Sequence, residues 1–82
     1  MYYVYLIQSK KDQKFYIGCT SDLKNRLSQH NAGSVEATKY RKPFGLIYYE
    51  AYVSKKQAFD REQKLKIFGS AYSGLIKRLQ LK

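Results

Sequence analysis

The chain begins with two strand-like runs joined by a short polar segment, and this pattern constrains the fold more than any other feature. Residues Tyr2 to Gln8 and Phe15 to Cys19 are rich in aromatic and β-branched side chains, which favour pleated strands. The segment between them, residues 9 to 14, is polar and typical of a turn. We therefore predict an antiparallel hairpin at the start of the chain.

A helix should follow the hairpin directly. Thr20 or Ser21 is predicted to cap a helix from about Asp22 to Asn31, and Gly33 suits its end because glycine adopts the left-handed backbone conformation easily. The next stretch, residues 32 to 44, is basic and irregular, with one glycine and one proline.

The second half contains one strand and two helices. Ser54 followed by Gln57 has the spacing of a helix-capping pair, and Gly69 is predicted to separate the two helices. The predicted elements are a strand from Leu46 to Tyr52, a helix from about Lys55 to Phe68 and a helix from about Ala71 to Leu79. The order ββαβαα predicts an α+β fold, a small, mainly antiparallel three-stranded sheet flanked by helices, as one domain over residues 1 to 82.

The charge of the chain indicates the kind of partner. Sixteen Lys and Arg against six Asp and Glu give a net charge of +10, which favours a polyanion, above all nucleic acid. An anionic membrane is the weaker candidate, because no segment approaches the roughly 20 apolar residues that span a bilayer. A lone cysteine, Cys19, and a start without an export signal predict a cytoplasmic protein.

Part of this charge falls on the irregular segment. Lys39, Tyr40, Arg41 and Lys42 combine three cations with one aromatic ring. Cations bind phosphates, and an aromatic ring can stack on a base. We predict that these four residues contact nucleic acid.

Four other residues before position 31 have side chains suited to phosphate chemistry. Arg26 and His30 are one helical pitch apart, so they can reach one target together. A guanidinium binds phosphate, and an imidazole can relay a proton near neutral pH. Tyr5 and Tyr16 lie on the paired strands beside this helix, where surrounding cations would favour a phenolate able to act as a base.

Glu62 is anomalous because it shares a helix face with Ala58 and Leu65, where an apolar residue is expected. An unpaired buried charge is costly. Either Glu62 pairs with a cation such as Arg26 or Lys66, or it borders a cleft that holds a metal ion. The acids do not cluster in the sequence, so one hydrated Mg²⁺ or Mn²⁺ suits the chain better than a two-metal centre.

These residues occur in the order of a known signature. Tyr3-Val4-Tyr5, ten intervening residues and Tyr16-Ile17-Gly18 resemble the paired motif of the GIY-YIG nuclease superfamily, with Tyr-Val-Tyr in place of Gly-Ile-Tyr. Arg26, His30 and Glu62 match its other functional positions in order and approximate spacing. The resemblance spans essentially the whole chain and extends to small stand-alone bacterial members related to the N-terminal nuclease domain of the excinuclease C subunit.

The resemblance implies a divalent-metal-dependent endonuclease that nicks DNA with weak sequence preference. Glu62 would hold one Mg²⁺ or Mn²⁺ ion, and Tyr16 would be the general base, with help from His30. Tyr5 would order the site by hydrogen bonding, and Arg26 would stabilise negative charge on the phosphate. Many relatives carry an Asn after the metal-binding Glu, whereas residues 63 to 82 contain none.

Two other readings remain open at the level of sequence. The chain could be a non-catalytic nucleic-acid-binding module of the same fold, or a small basic subunit that docks on an acidic protein. RNA is a further candidate substrate, and a protein partner could supply the choice of target.

Overall fold

A computed structural model, which describes residues 1–81, contains one antiparallel sheet of three strands in the order β2-β1-β3. The observed order ββαβαα confirms the predicted α+β fold. The elements are β1 (Tyr2–Ser9), β2 (Phe15–Thr20), α1 (Leu23–Ala32), β3 (Phe44–Tyr52), α2 (Lys55–Lys66) and α3 (Ser70–Arg78).

Strand β1 lies in the centre of the sheet and supplies both layers of the core. Because successive side chains of a strand point to opposite faces, Val4 and Leu6 face one layer while Tyr5 and Ile7 face the other. The first layer packs against α2 and α3 through buried residues that include Ala58, Leu65, Leu75 and Ile76. The second layer packs Tyr5 and Ile7 against Phe44, with Leu23 and Leu27 of α1 beside them.

The first helix begins one residue later than predicted. Asp22, rather than Thr20 or Ser21, is its N-cap, and the Asp22 carboxylate accepts a hydrogen bond of 3.1 Å from the backbone N–H of Asn25. Thr20 is unavailable for capping because its hydroxyl accepts the backbone N–H of Asp22. Gly33 has φ +79°, so the predicted left-handed stop is confirmed.

The second helix ends earlier than predicted. Ser54 caps it as expected and accepts the N–H of Gln57, but its last residue is Lys66 rather than Phe68. Phe68 itself has φ +57° and turns the chain. Gly69 therefore does not stop α2 but is the N-cap of α3.

The connection between α1 and β3 is fastened to the hairpin turn. The Ser9 hydroxyl donates to the carbonyl of Arg41, and the backbone N–H of Lys10 donates to the carbonyl of Pro43 at 2.8 Å. In residues 1–81, the helices are all too short and too polar to reach across a bilayer.

Candidate active site

The site is built around the close approach of Tyr5 to Gly18 on the paired strand β2. The two residues are directly opposite in the register, and a β-carbon on Gly18 would lie 2.2 Å from the Tyr5 hydroxyl oxygen. The phenol therefore occupies the volume that any other side chain at position 18 would fill. This explains the glycine of the Tyr-Ile-Gly run as a requirement of packing.

The Tyr5 hydroxyl is bonded to His30, which is fully buried. The Tyr5 oxygen lies 2.8 Å from His30 Nε2, and His30 Nδ1 lies 2.7 Å from the hydroxyl oxygen of Thr38. Burial first, and the neighbouring Arg26 second, lower the pKa of His30 to about 4. His30 is thus neutral near pH 7, and it forms a buried bridge between strand, helix and loop.

Arg26 reaches the same phenol from α1. Its guanidinium lies next to the Tyr5 hydroxyl and also donates to the side-chain oxygen of Gln29 at 3.0 Å. Burial raises the pKa of Tyr5, and Arg26 opposes the rise without reversing it. For Tyr5, the expectation that cations would favour phenolate is wrong, because desolvation disfavours the charged form more strongly.

Glu62 approaches from α2. It is 8% exposed, and its carboxylate lies 3.2 Å from Lys66 Nζ and 3.4 Å from the side-chain nitrogen of Gln63. Of the two cations considered from the sequence, Lys66 is the one that pairs with it. The negative charge of Glu62 also acts on Tyr5, whose pKa it helps to raise.

Lys66 connects this acid to the second tyrosine. Its ammonium lies 5.9 Å from the centre of the Tyr16 ring, and that ring packs edge-on against His30 with centroids 5.1 Å apart. The structure thus brings Tyr16 and His30 into contact, and Lys66 lies between Tyr16 and Glu62. Tyr5 joins this series of contacts through its hydrogen bond to His30.

The four predicted nucleic-acid-binding residues lie elsewhere, beside the hairpin turn. Lys39 pairs with Glu36 at 3.1 Å and lies over the ring of Tyr40, which is 76% exposed. Arg41 is less available to a nucleic acid, because its guanidinium already forms an ion pair with Asp12 at 2.9 Å. Tyr40 and the exposed Lys42 therefore remain the more available contacts of this group.

An ion-pair network that the sequence did not reveal fixes α2 to the far edge of the sheet. Arg61 donates two hydrogen bonds of 2.9 Å to the carboxylate of Glu50 on β3, and Tyr48 and Tyr52 donate to the same carboxylate. Burial alone would raise the pKa of Glu50, but these hydrogen bonds hold it below its ordinary value. Arg61 immediately precedes Glu62, so this network helps to set the position of the acid.

Within residues 1–81, no group of three or more His, Cys, Asp or Glu side chains could hold a metal ion. A cavity of about 510 Å³ lies between α1 and β3, with a mainly apolar lining that includes Leu23, Leu27 and Leu46. None of the predicted site residues lines it.

The family model described as the GIY-YIG catalytic domain matches residues 1–68 of the chain. The chain belongs to the GIY-YIG family, which comprises nucleases that act on DNA and generally use a divalent metal ion.

Several bacterial proteins are similar to this chain. UPF0213 protein SpyM50708 of Streptococcus pyogenes serotype M5 (strain Manfredo) is 43% identical over 65 residues, which cover 78% of this chain and 70% of that protein. UPF0213 protein SH2523 of Staphylococcus haemolyticus (strain JCSC1435) is 40% identical over 68 residues, covering 82% of each chain. These matches confirm the expected resemblance to small stand-alone bacterial members.

A solved structure shares the fold. The solution NMR structure of UPF0213 protein BH0048 from Bacillus halodurans aligns with a TM-score of 0.58 and 31% identity. The alignment covers 96% of this chain and 85% of that chain.

Proposed function

We propose that this protein is a divalent-metal-dependent endonuclease that hydrolyses phosphodiester bonds in DNA, nicking one strand with weak sequence preference. The observation that carries the proposal is a series of contacts that connects both tyrosines to Glu62. The Tyr5 hydroxyl lies 2.8 Å from His30, and the rings of His30 and Tyr16 pack with their centroids 5.1 Å apart. Lys66 then contacts both the Tyr16 ring and the Glu62 carboxylate. A carboxylate able to hold a metal ion near two phenols suits the binding of a phosphate.

The donor set at Glu62 fits one Mg²⁺ or Mn²⁺ ion. A single carboxylate completed by waters and a substrate phosphate is a common arrangement for hard divalent ions. Lys66 Nζ, 3.2 Å from the carboxylate, already places a positive charge beside it. Because Lys66 is itself partly exposed, its ammonium can move into solvent and a metal ion can take its place. Glu62 would hold the ion, which when bound supplies charge neutralisation at the scissile phosphate.

The remaining residues of the site have separable tasks in this proposal. Arg26 would hold the phosphate and stabilise the negative charge that develops on it. Tyr16, half-buried on β2, would accept the proton of the attacking water. Tyr5 keeps its proton, since its pKa is raised, and it would position Arg26. The neutral His30 would hold the Tyr5 hydroxyl in place by their hydrogen bond.

Gln63 offers a partial replacement for the Asn that many relatives carry. Its side-chain nitrogen lies 3.4 Å from Glu62, so it can orient the carboxylate by hydrogen bonding. This contact supports a working site in a chain that has no Asn after position 62.

Nicking of supercoiled plasmid in the presence of Mg²⁺ or Mn²⁺ tests the proposal. We expect Glu62→Gln to reduce the nicking rate by about 100-fold or more, because the exchange removes the metal-binding charge, while DNA binding in a gel-shift assay is kept. Asp60→Asn is the matched control on the same helix, since Asp60 is largely exposed and pairs only with Lys56 among the described residues. Equal nicking by wild type and Glu62→Gln would refute the proposal.

A non-catalytic nucleic-acid-binding module is the second candidate, favoured by the ion pair between Glu62 and Lys66. In that case the acid serves only to neutralise a lysine of its own helix. DNA or RNA binding without cleavage of any form of either, across Mg²⁺ and Mn²⁺, would establish this alternative.

A further inference from the structure

A small groove adjoins Glu62 on the side away from Lys66 and Tyr16. It has a volume of about 280 Å³ and lies between the end of β2 and the first turns of α2. Its lining includes Cys19, Thr20, Lys55, Phe59 and Glu62. The groove is therefore continuous with the acid of the proposed active site.

Phe59 is the unusual residue of this groove. It is 54% exposed, although its neighbour Ala58 is fully buried in the core. Phe59 precedes Glu62 by three positions on α2, so the ring and the carboxylate lie side by side on the helix surface. An exposed ring beside a phosphate-binding site is suited to stacking on a base.

The charges around the groove also fit a nucleotide. Lys55 is exposed in the first turn of α2 and lines the groove opposite Glu62. Lys55 lies at one end of the groove, Glu62, which could hold a metal ion, lies at the other, and the Phe59 ring lies between them. This arrangement matches two successive phosphates that flank one base. The volume of about 280 Å³ accommodates a single base rather than a base pair.

We propose that this groove binds one unpaired base of the DNA strand, next to the phosphate at Glu62, with the base stacked on Phe59 and the adjoining phosphate paired with Lys55. The inference rests on the proposed function for the position of that phosphate. In a duplex the faces of a base are covered by its neighbours, so the groove selects single-stranded or locally unpaired DNA.

Binding to oligonucleotides with and without bases tests this inference. EDTA in the buffer prevents metal-dependent cleavage during the measurement. Fluorescence anisotropy would compare a short single-stranded DNA with an abasic strand of the same length and charge. We expect wild type to bind the strand with bases about 10-fold more tightly, a typical effect of one base–aromatic stack. Phe59→Leu should abolish the difference, whereas Phe59→Tyr should retain it.

Tyr49→Leu is the matched control, because Tyr49 is another aromatic residue, 50% exposed, on the opposite face of the sheet. It should leave the preference for bases unchanged. Equal binding of both strands by wild type, or a preference that persists in Phe59→Leu, would overturn the inference and leave the nicking experiment unaffected. If nicking fails but the Phe59-dependent preference for the strand with bases remains, only the proposed hydrolysis is refuted.

Discussion

At the scale of single residues, His30 determines how the site is held together. It is fully buried, and its two ring nitrogens join Tyr5 on β1 to Thr38 in the loop before β3. One imidazole therefore links three parts of the chain that are far apart in sequence. The same burial makes its protonation unfavourable, and this gives the protein a distinctive response to acid.

We predict that acid destabilises the protein through His30. The pKa of this histidine is about 4 in the folded state and about 6.5 when exposed, so the unfolded chain binds the extra proton first. The stabilisation is complete above pH 6.5 and is lost as pH falls toward 4. Urea unfolding should show a free energy of unfolding about 2 kcal/mol lower at pH 5 than at pH 7.

The single histidine of the chain makes this window specific. Carboxylates with lowered pKa values, such as Asp12 at about 2, contribute only at lower pH. His30→Gln should be less stable at pH 7 but should lose little further stability between pH 7 and 5. An unchanged slope in His30→Gln would contradict this account.

At this scale the sequence identified candidate residues for chemistry but not how they are arranged. Arg26 and His30 are neighbours on a helix, and nothing local indicates that one stays near the surface while the other is buried against Thr38. Phe59 carried a detectable signal, since it falls at the border of the apolar face of α2. The contacts of Glu50 depend on long-range packing and had no local signal, whereas the pairing of Glu62 with Lys66, four residues later on the same helix, was one of the two pairings considered from the sequence.

At the scale of elements, the hairpin and α1 form the frame of the site through the contact of Tyr5 with Gly18. The ring of Tyr5 cannot turn away easily, because its hydroxyl is bonded to buried His30. A side chain at position 18 must therefore displace either the ring or β2.

We predict opposite effects for alanine at two glycines. Gly18→Ala should destabilise the fold by about 1 to 3 kcal/mol, because its new methyl group meets the Tyr5 hydroxyl at 2.2 Å. Gly74→Ala should stabilise it by about 0.5 to 1 kcal/mol, since Gly74 lies inside α3 with open space around it. Thermal unfolding of the two variants measures both. A neutral Gly18→Ala would show that the contact with Tyr5 is not tight.

Most elements were predictable because their signals are local. Alternation in β1 and β2, the Ser54 cap and the Gly33 stop each depend on a few adjacent residues, and the structure has them. The start of α1 and the end of α2 were predicted wrongly, because neighbouring residues compete for the same capping or turn position. Thr20 closes the turn before α1, and Phe68, one residue before the break expected at Gly69, takes a left-handed conformation that ends α2.

At the scale of the whole molecule, the net charge of +10 should control the salt dependence of the proposed association with DNA. We predict that binding weakens about 10- to 100-fold between 50 and 200 mM salt, as two to four phosphate contacts would produce. Titration of duplex and single-stranded DNA at several salt concentrations measures the slope. Weak binding with no dependence on salt would favour an acidic protein partner instead.

The ion-pair network between α2 and β3 affects how the domain would respond to insertions in its turns. Arg61 is anchored to the strand at one margin of the sheet, while the next residue, Glu62, reaches the groove at the other margin. The side chains of two adjacent residues on α2 are therefore directed to opposite margins of the sheet. The contacts of Arg61 with β3, rather than the length of any connection, thus help to position the acid relative to the two phenols, so insertions in the turns would leave that position intact.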